Sequence, residues 1–201
     1  MGDPKVCVTT ATLDLERGIR VVNEVRAKGG IPSFGYVVED RLGVGGTKPA
    51  NRGLRYCFER LDVPFICYIN DDISFKTTGW LRDLVKALED HPRIAVVGAG
   101  GKCRTTPQTH AKPGMAPGVQ YCERLAYFCV VFRREIFEEI GFLDESYAHY
   151  GCDSDFNKRV LHAGWKLGWV KHVWATHNVG AVIPKFQKKD SALYRKRWGD
   201  G

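Results

Sequence analysis

Tyr68-Ile69-Asn70-Asp71-Asp72-Ile73-Ser74 closes the apolar run Val63 to Ile69 with an amide and two adjacent carboxylates. A short apolar run that stops at turn-forming residues reads as a buried strand, here one that delivers paired Asp to its own carboxyl end. Two like charges side by side repel, and they are stable only where water, a cation or a hydrogen-bond donor compensates them. The stretch is therefore either an ordinary strand end in solvent or a place that receives a metal ion and a phosphate. The flanking sequence has to decide.

Upstream, Val6-Cys7-Val8-Thr9-Thr10 is β-rich, and Leu13 to Lys28 carries Leu15, Ile19, Val22 and Val25 at helical spacing before Gly29-Gly30 stops it. Ile31 to Val38 predicts a second strand that closes on Glu39-Asp40-Arg41, followed by the glycine-rich turn Gly43-Val44-Gly45-Gly46-Thr47-Lys48-Pro49. A helix then opens at Pro49 or Ala50 and runs to about Leu61, with Leu54, Phe58 and Leu61 on one face. Downstream, Leu81, Leu84, Val85 and Leu88 mark an amphipathic helix ended by His91-Pro92, and Ile94 to Val97 gives a fourth strand. This alternation predicts an α/β domain with a mostly parallel central sheet flanked by helices. In such sheets ligands bind beyond the carboxyl ends of the strands, so Thr9-Thr10, Glu39-Asp40 and Asn70-Asp71-Asp72 should line one crevice.

From Gly98 to Gly118 periodicity is lost, and a loop this long inside a compact domain is a lid, a binding loop or a disordered segment. Leu125 to Phe132 predicts a strand, Arg134 to Ile140 a short helix capped by Gly141, and Asp153 to Ala163 a helix stopped by Gly164. Trp165 to Trp174 predicts the last strand, before His177. The tail from Pro184 interleaves Phe186, Tyr194 and Trp198 with six basic residues, Lys185, Lys188, Lys189, Arg195, Lys196 and Arg197. It is either a basic segment that touches a membrane surface or, the favoured reading, a terminal helix that packs its aromatics on the domain.

With 201 residues, the chain suits one domain. Seven Cys without a C-x-x-C pair, some of them inside apolar runs, favour free thiols in a reducing cytoplasm over a disulfide scaffold or a zinc site. The net charge of +7 suits an anionic partner of unspecified kind. The amino terminus lacks the pattern of a secretory leader, and no span approaches twenty apolar residues.

The ordered set Asn51-Arg52-Gly53, Tyr68-Ile69-Asn70-Asp71-Asp72, Gly79-Trp80-Leu81, Phe142-Leu143-Asp144-Glu145 and Gly151-Cys152-Asp153-Ser154-Asp155 resembles family-two glycosyltransferases of the GT-A fold. Arg159, Ala163-Gly164 and His177 continue the resemblance, which covers the chain from Val6 to about Gly180. It implies a single Rossmann-like GT-A domain over residues 1–201, with a nucleotide-sugar half at about 1–100, an acceptor half at about 121–180 and a basic tail at 184–201. The activity it implies is metal-dependent, inverting transfer of a sugar from a UDP-, GDP- or dTDP-linked donor to a saccharide or other hydroxyl acceptor.

Residue by residue, the resemblance makes Asn70-Asp71-Asp72 a variant D-x-D motif. Asp72 would reach Mn²⁺ or Mg²⁺, Asp71 would lie near the ribose or a metal-bound water, and Asn70 stands where many relatives have Asp. Thr9 and one of Glu39 or Asp40 match positions that hold the base and ribose, while Lys48 and Asn51 border the nucleotide. His177 matches a histidine that completes the metal shell or touches the diphosphate. Asp153 matches the general base, with Asp155 in reserve, and Cys152 replaces the usual neighbouring Glu. Loss of that like charge is expected to lower the pKa of Asp153 and keep it ionised.

Cys152 does not read as a nucleophile, because the negative charge beside it raises a thiol pKa. The glycines at 43, 45 and 46 fit neither G-x-x-x-x-G-K-[ST] nor G-x-G-x-x-G. The alternatives are a nucleotidyltransferase of related fold and a basic nucleic-acid-binding module. The second is disfavoured because paired acids at the crevice would repel a phosphate backbone.

Overall fold

The computed structural model describes residues 3–102, 106–112, 114–177 and 183–199. The first half follows the expected alternation: β1 (Val6–Thr12), α1 (Leu15–Lys28), β2 (Ser33–Glu39), α2 (Thr47–Arg60), β3 (Phe65–Ile69), β4 (Ile73–Phe75), α3 (Trp80–Asp90) and β5 (Ile94–Gly101). A 3-10 turn (Pro107–His110) leads into β6 (Val119–Cys122), β7 (Cys129–Arg133), α4 (Arg134–Ile140), α5 (Cys152–His162), β8 (Lys166–His177) and α6 (Pro184–Trp198).

One eight-stranded sheet runs in the order β2-β1-β3-β7-β5-β8-β4, with β6 also paired to β8. β1, β2 and β3 are mutually parallel, and β5 is parallel to β8. β7 lies antiparallel between β3 and β5, and β4 and β6 run antiparallel to β8. The sheet is thus mixed, with its five longer-range parallel strands sharing one carboxyl-end rim. Antiparallel β7 starts at that same rim, where Asn70 N–H donates to the Phe128 carbonyl at 2.8 Å.

Alternation along the strands divides the core between the two faces. Phe65, Cys67 and Ile69 pack with Val21, Val25, Leu84 and Leu88 of α1 and α3. Ile66 packs with Leu54 of α2, Phe137 of α4 and Phe156 of α5 on the other face. Cys7 of β1 and Cys57 of α2, both fully buried, are joined by a disulfide with Cα atoms 5.8 Å apart. This corrects the expectation of free thiols at these two positions; sequence spacing holds no sign that a strand residue and a helix residue fifty positions apart would meet.

One departure arises where glycine replaces side-chain patterning. Gly98 to Gly101 read as the start of a loop, yet they extend β5, because the following segment lies flat on them. A Cβ on Gly100 would fall 1.9 Å from Cβ of Ala111, and one on Gly98 2.7 Å from Nε2 of Gln108. Gln108 is fully buried, donating to the carbonyls of Ala99 and Ala126 and accepting from Ala126 N–H, so the described part of the 98–118 stretch is pinned to the sheet. Residues 103–105 and 113 of that stretch lie outside the described residues.

α6 packs on the domain. Asp190 is fully buried and accepts N–H bonds from Ala148, His149 and Tyr150 at 2.8–3.0 Å. Trp198 Nε1 donates to Asp155 at 2.9 Å, and the Phe186 ring lies 6.2 Å from that of His149. Among the described residues no helix is long and apolar enough to cross a membrane.

Candidate active site

The rim opens into two adjoining cavities. The first, of about 250 Å³, is lined by Thr12, Arg17, Asp40, Gly45, Asp71 and Asp72, with Ile183 and Phe186 of the α6 region at its edge. The second, of about 750 Å³, is lined by Tyr127, Phe128, Leu143, Tyr150, Asp153 and His177. Gly46, Tyr68, Asn70 and His149 line both, so these four form the neck between them.

In the first cavity the two carboxylates after β3 are treated differently. Asp71 Oδ2 accepts from Thr12 Oγ1 at 2.6 Å and pairs with Arg17 Nε at 3.0 Å, so its charge is compensated by protein groups. Asp72 Oδ1 is buried without a hydrogen bond among the described residues and faces His177 Nε2 at 3.4 Å. The His177 ring is stacked on Phe128 with centroids 5.0 Å apart, and its Nδ1 is likewise buried without a hydrogen bond among the described residues. A buried carboxylate oxygen with no hydrogen bond among the described residues, 3.4 Å from an imidazole Nε2, fits a divalent cation that completes its shell with phosphate oxygens and water. Among the described residues no three or more His, Cys, Asp or Glu gather into a protein-only metal cage.

The remaining expected nucleotide contacts divide. Asp40 is buried and lines the first cavity, its Oδ2 accepting from Val44 N–H at 3.1 Å, whereas Glu39 turns outward to Arg41 at 2.6 Å. Of the two acids, the geometry brings Asp40 to the cavity. Thr9 lines neither cavity: β1 continues three residues further, paired with β2 through Thr12↔Glu39, and the true strand end presents Thr12. Thr9 packs against Gly53 of α2, where a Cβ would come within 2.1 Å of its Oγ1. Asn51 also departs from the cavity. It is fully buried, and its amide binds both backbone groups of Leu143 and the Glu145 carboxylate, stapling α2 to the 143–145 turn. Lys48 is exposed in the first turn of α2 and lines neither cavity.

In the second cavity Asp153 sits in the first turn of α5, behind Gly151, whose φ of 78° sets the sharp entry to the helix. Its Oδ1 accepts from Ser154 N–H at 2.7 Å. Burial pushes the Asp153 carboxyl above the usual carboxylate range, outweighing the backbone hydrogen bonds that pull it down. The direction is opposite to that expected from the missing neighbouring Glu, because desolvation is the larger effect. Burial, then the Asp153 charge, pushes the Cys152 thiol up to about 12, which keeps it protonated and unreactive. Asp155 is removed from the cavity altogether: fully buried, it is bound by Arg159 at 2.9 Å, Arg197 at 2.8 Å and Trp198 at 2.9 Å.

The neck holds two groups to which sequence reading assigned no role. Burial, with smaller contributions from Cys152, Asp71 and Asp72, raises the Tyr68 phenol, which stays a hydrogen-bond donor. His149 accepts from Gly46 N–H at its Nδ1, 3.1 Å away. Thr12 could have been found by extending the β-rich run Val6 to Thr10 by two residues; His149 and Arg17 carry no local signal, since only chain folding brings them to the rim.

No family model and no curated protein sequence matches the chain. Solved structures do. The mannosyltransferase PcManGT from Pyrobaculum calidifontis in complex with GDP-Man and Mn²⁺ superposes with a TM-score of 0.62 at 12% identity, covering 97% of this chain and 70% of its own. GalNAc-T7 with UDP, GalNAc and Mn²⁺ gives 0.61 at 12% identity, covering 87% of this chain and 44% of its own. S. aureus TarS gives 0.64 at 14% identity, covering 96% of this chain and 39% of its own. The chain thus spans less than half the length of the latter two, and identities this low speak to architecture. The mixed eight-stranded sheet, with its helices on both faces, is the GT-A fold of nucleotide-sugar transferases.

Proposed function

We propose that the chain is a metal-dependent glycosyltransferase that moves a sugar from a nucleoside-diphosphate donor to a hydroxyl acceptor with inversion. The observation that carries this reading is the placement of Asp72 in the first cavity and His177 in the second, 3.4 Å apart. Residues 1–100 would supply the donor side and residues 121–180 the acceptor side. The nucleoside lies in the first cavity beside Asp40, with Arg17 and Thr12 holding Asp71. A Mn²⁺ or Mg²⁺ ion held by Asp72 and His177 would offset the negative charge of the diphosphate.

The acceptor occupies the second cavity, where Tyr127, Phe128 and Tyr150 offer aromatic surface to a saccharide. Asp153 takes the acceptor hydroxyl proton as that oxygen attacks the anomeric carbon. Support also comes from the sugar nucleotide and Mn²⁺ in the PcManGT structure and the UDP and Mn²⁺ in that of GalNAc-T7.

The test is a thermal-shift screen of sugar nucleotides with Mn²⁺, followed by transfer assays with the stabilising donor, with and without EDTA. A donor present at a hundredfold its dissociation constant adds about 2.7 kcal/mol of stability. Transfer that survives EDTA and both Asp72→Ala and Asp153→Asn would overturn the assignment. Pyrophosphate release from a nucleoside triphosphate would point instead to a nucleotidyltransferase.

A further inference from the structure

The glycine-rich turn at 43–46 fits no phosphate-binding loop pattern, yet the fold uses it to seat one side chain. Gly45 has φ of 104°, and a Cβ there would lie 2.2 Å from the Ala148 carbonyl oxygen. Thr47 N–H donates to that same carbonyl at 3.2 Å. At Gly46 a Cβ would lie 3.0 Å from Nδ1 of His149, the atom to which Gly46 N–H donates. From the other side Asp190 of α6 holds the His149 backbone N–H at 2.8 Å, and the ring is flanked by Tyr150 at 4.6 Å and Phe186 at 6.2 Å.

This seat has a chemical consequence. A nitrogen that accepts from a backbone N–H carries no proton, so the neutral ring bears its hydrogen on Nε2. The hydrogen bond from Gly46 N–H engages Nδ1 and not Nε2. His149 is exposed as a residue, but the protein packed around its ring desolvates the imidazole and lowers its pKa from the ordinary value, despite the opposing charges of Asp190 and Asp153, which favours the neutral form. The neck therefore presents a fixed, neutral N–H donor.

We infer that His149 binds the β-phosphate of the donor through Nε2–H, a contact to the leaving diphosphate that is independent of Asp72 and His177. The inference rests on the reading of the two cavities as donor and acceptor sites. With the nucleoside in one and the acceptor in the other, the bond that breaks lies at the neck, which His149 shares with Tyr68, Asn70 and Gly46. As the acceptor oxygen bonds to the anomeric carbon, the bond from that carbon to the β-phosphate oxygen breaks and its electron pair stays with the phosphate. The acceptor proton goes to Asp153. The Nε2–H proton remains on the ring and stabilises the charge gathering on the departing oxygens.

Two substitutions separate binding from scaffolding. The amide nitrogen of Gln reaches the Nε2 position, whereas the side-chain oxygen of Asn stands at the Nδ1 position and can keep the Gly46 contact. Titrations with UDP, GDP, ADP, CDP and dTDP, and with the matching monophosphates, would be run by calorimetry with Mn²⁺ on wild type, His149→Asn, His149→Gln and His149→Ala. Asn and Ala are expected to lose roughly tenfold or more in diphosphate affinity, Gln to retain most of it, and monophosphate affinity to stay unchanged. Equal diphosphate affinity in all four proteins overturns the inference. So does retention by Asn with loss in Gln, which would make His149 a support for Gly46 alone, or an equal loss for mono- and diphosphates. If wild type binds no nucleoside diphosphate at all, the underlying donor-site reading fails and this inference fails with it.

Discussion

Asp72 Oδ1 and His177 Nε2 face each other across 3.4 Å from opposite sides of the boundary between the two cavities. They come from the end of β3 and the end of β8, brought together by the Ile73↔His177 register of β4 on β8. If the pair holds one ion, its two members act as a unit. Asp72→Ala and His177→Ala should each reduce transfer on the order of 10²-fold at low Mn²⁺, and the double variant should lose far less than the product of the two. Multiplicative losses in a Mn²⁺ titration of the three variants would show two independent sites.

The raised pKa of Asp153 makes two further outcomes readable in one variant. Because the folded state holds its proton to higher pH than the unfolded chain, protonation of Asp153 favours the fold, and that contribution is lost as pH rises through the folded value. At neutral pH the ionised, desolvated carboxylate costs stability, so Asp153→Asn should melt at a higher temperature than wild type while transfer falls by about 10²–10⁴-fold. The acid limb of the wild-type kcat/KM profile should lie above the ordinary Asp value of about 3.9. A limb at or below that value, or a lower melting temperature for the variant, counts against this role.

Asp190 ties α6 to the loop that carries His149. Removing its carboxylate in Asp190→Ala leaves three backbone N–H groups of residues 148–150 without their acceptor, at a cost of at least about 3 kcal/mol. In a chain of this length that corresponds to a fall of about 6–12 °C in Tm, measurable by calorimetry. A fall of less than a degree would mean that α6 is dispensable for the loop.

Thr9 and Asn51 are buried and line neither cavity. Thr9 Oγ1 is buried without a hydrogen-bond partner among the described residues, so the isosteric Thr9→Val should be neutral or stabilising by up to about 1 kcal/mol. Donor affinity, measured by calorimetry, should not change. A marked rise in the donor Kd would return Thr9 to the binding site.

Much of the molecule could be read in the order of its residues. Helical spacing located α1, α2 and α3, and the apolar run into Asn70-Asp71-Asp72 located β3 and its carboxylates, because one face of each element must be buried whatever its partner. What sequence misplaced has a common cause. Gly98 to Gly101 lack side chains to show a pattern, and β4 and β6 are too short to show one. β7 is antiparallel because it pairs with β3 and β5, a choice made by neighbours distant in sequence.

The site divides in the same way. The sequence by itself, through its resemblance to family-two glycosyltransferases, singled out Asp72, Asp153 and His177 as the residues to test. Only the tertiary structure decided which acid of Glu39-Asp40 turns inward and that Asp155 is consumed by Arg159, Arg197 and Trp198. It also decided that burial, outweighing the lost neighbouring charge, sets the direction of the Asp153 pKa. Orientation, pairing and desolvation depend on groups tens of residues away, and no local pattern encodes them.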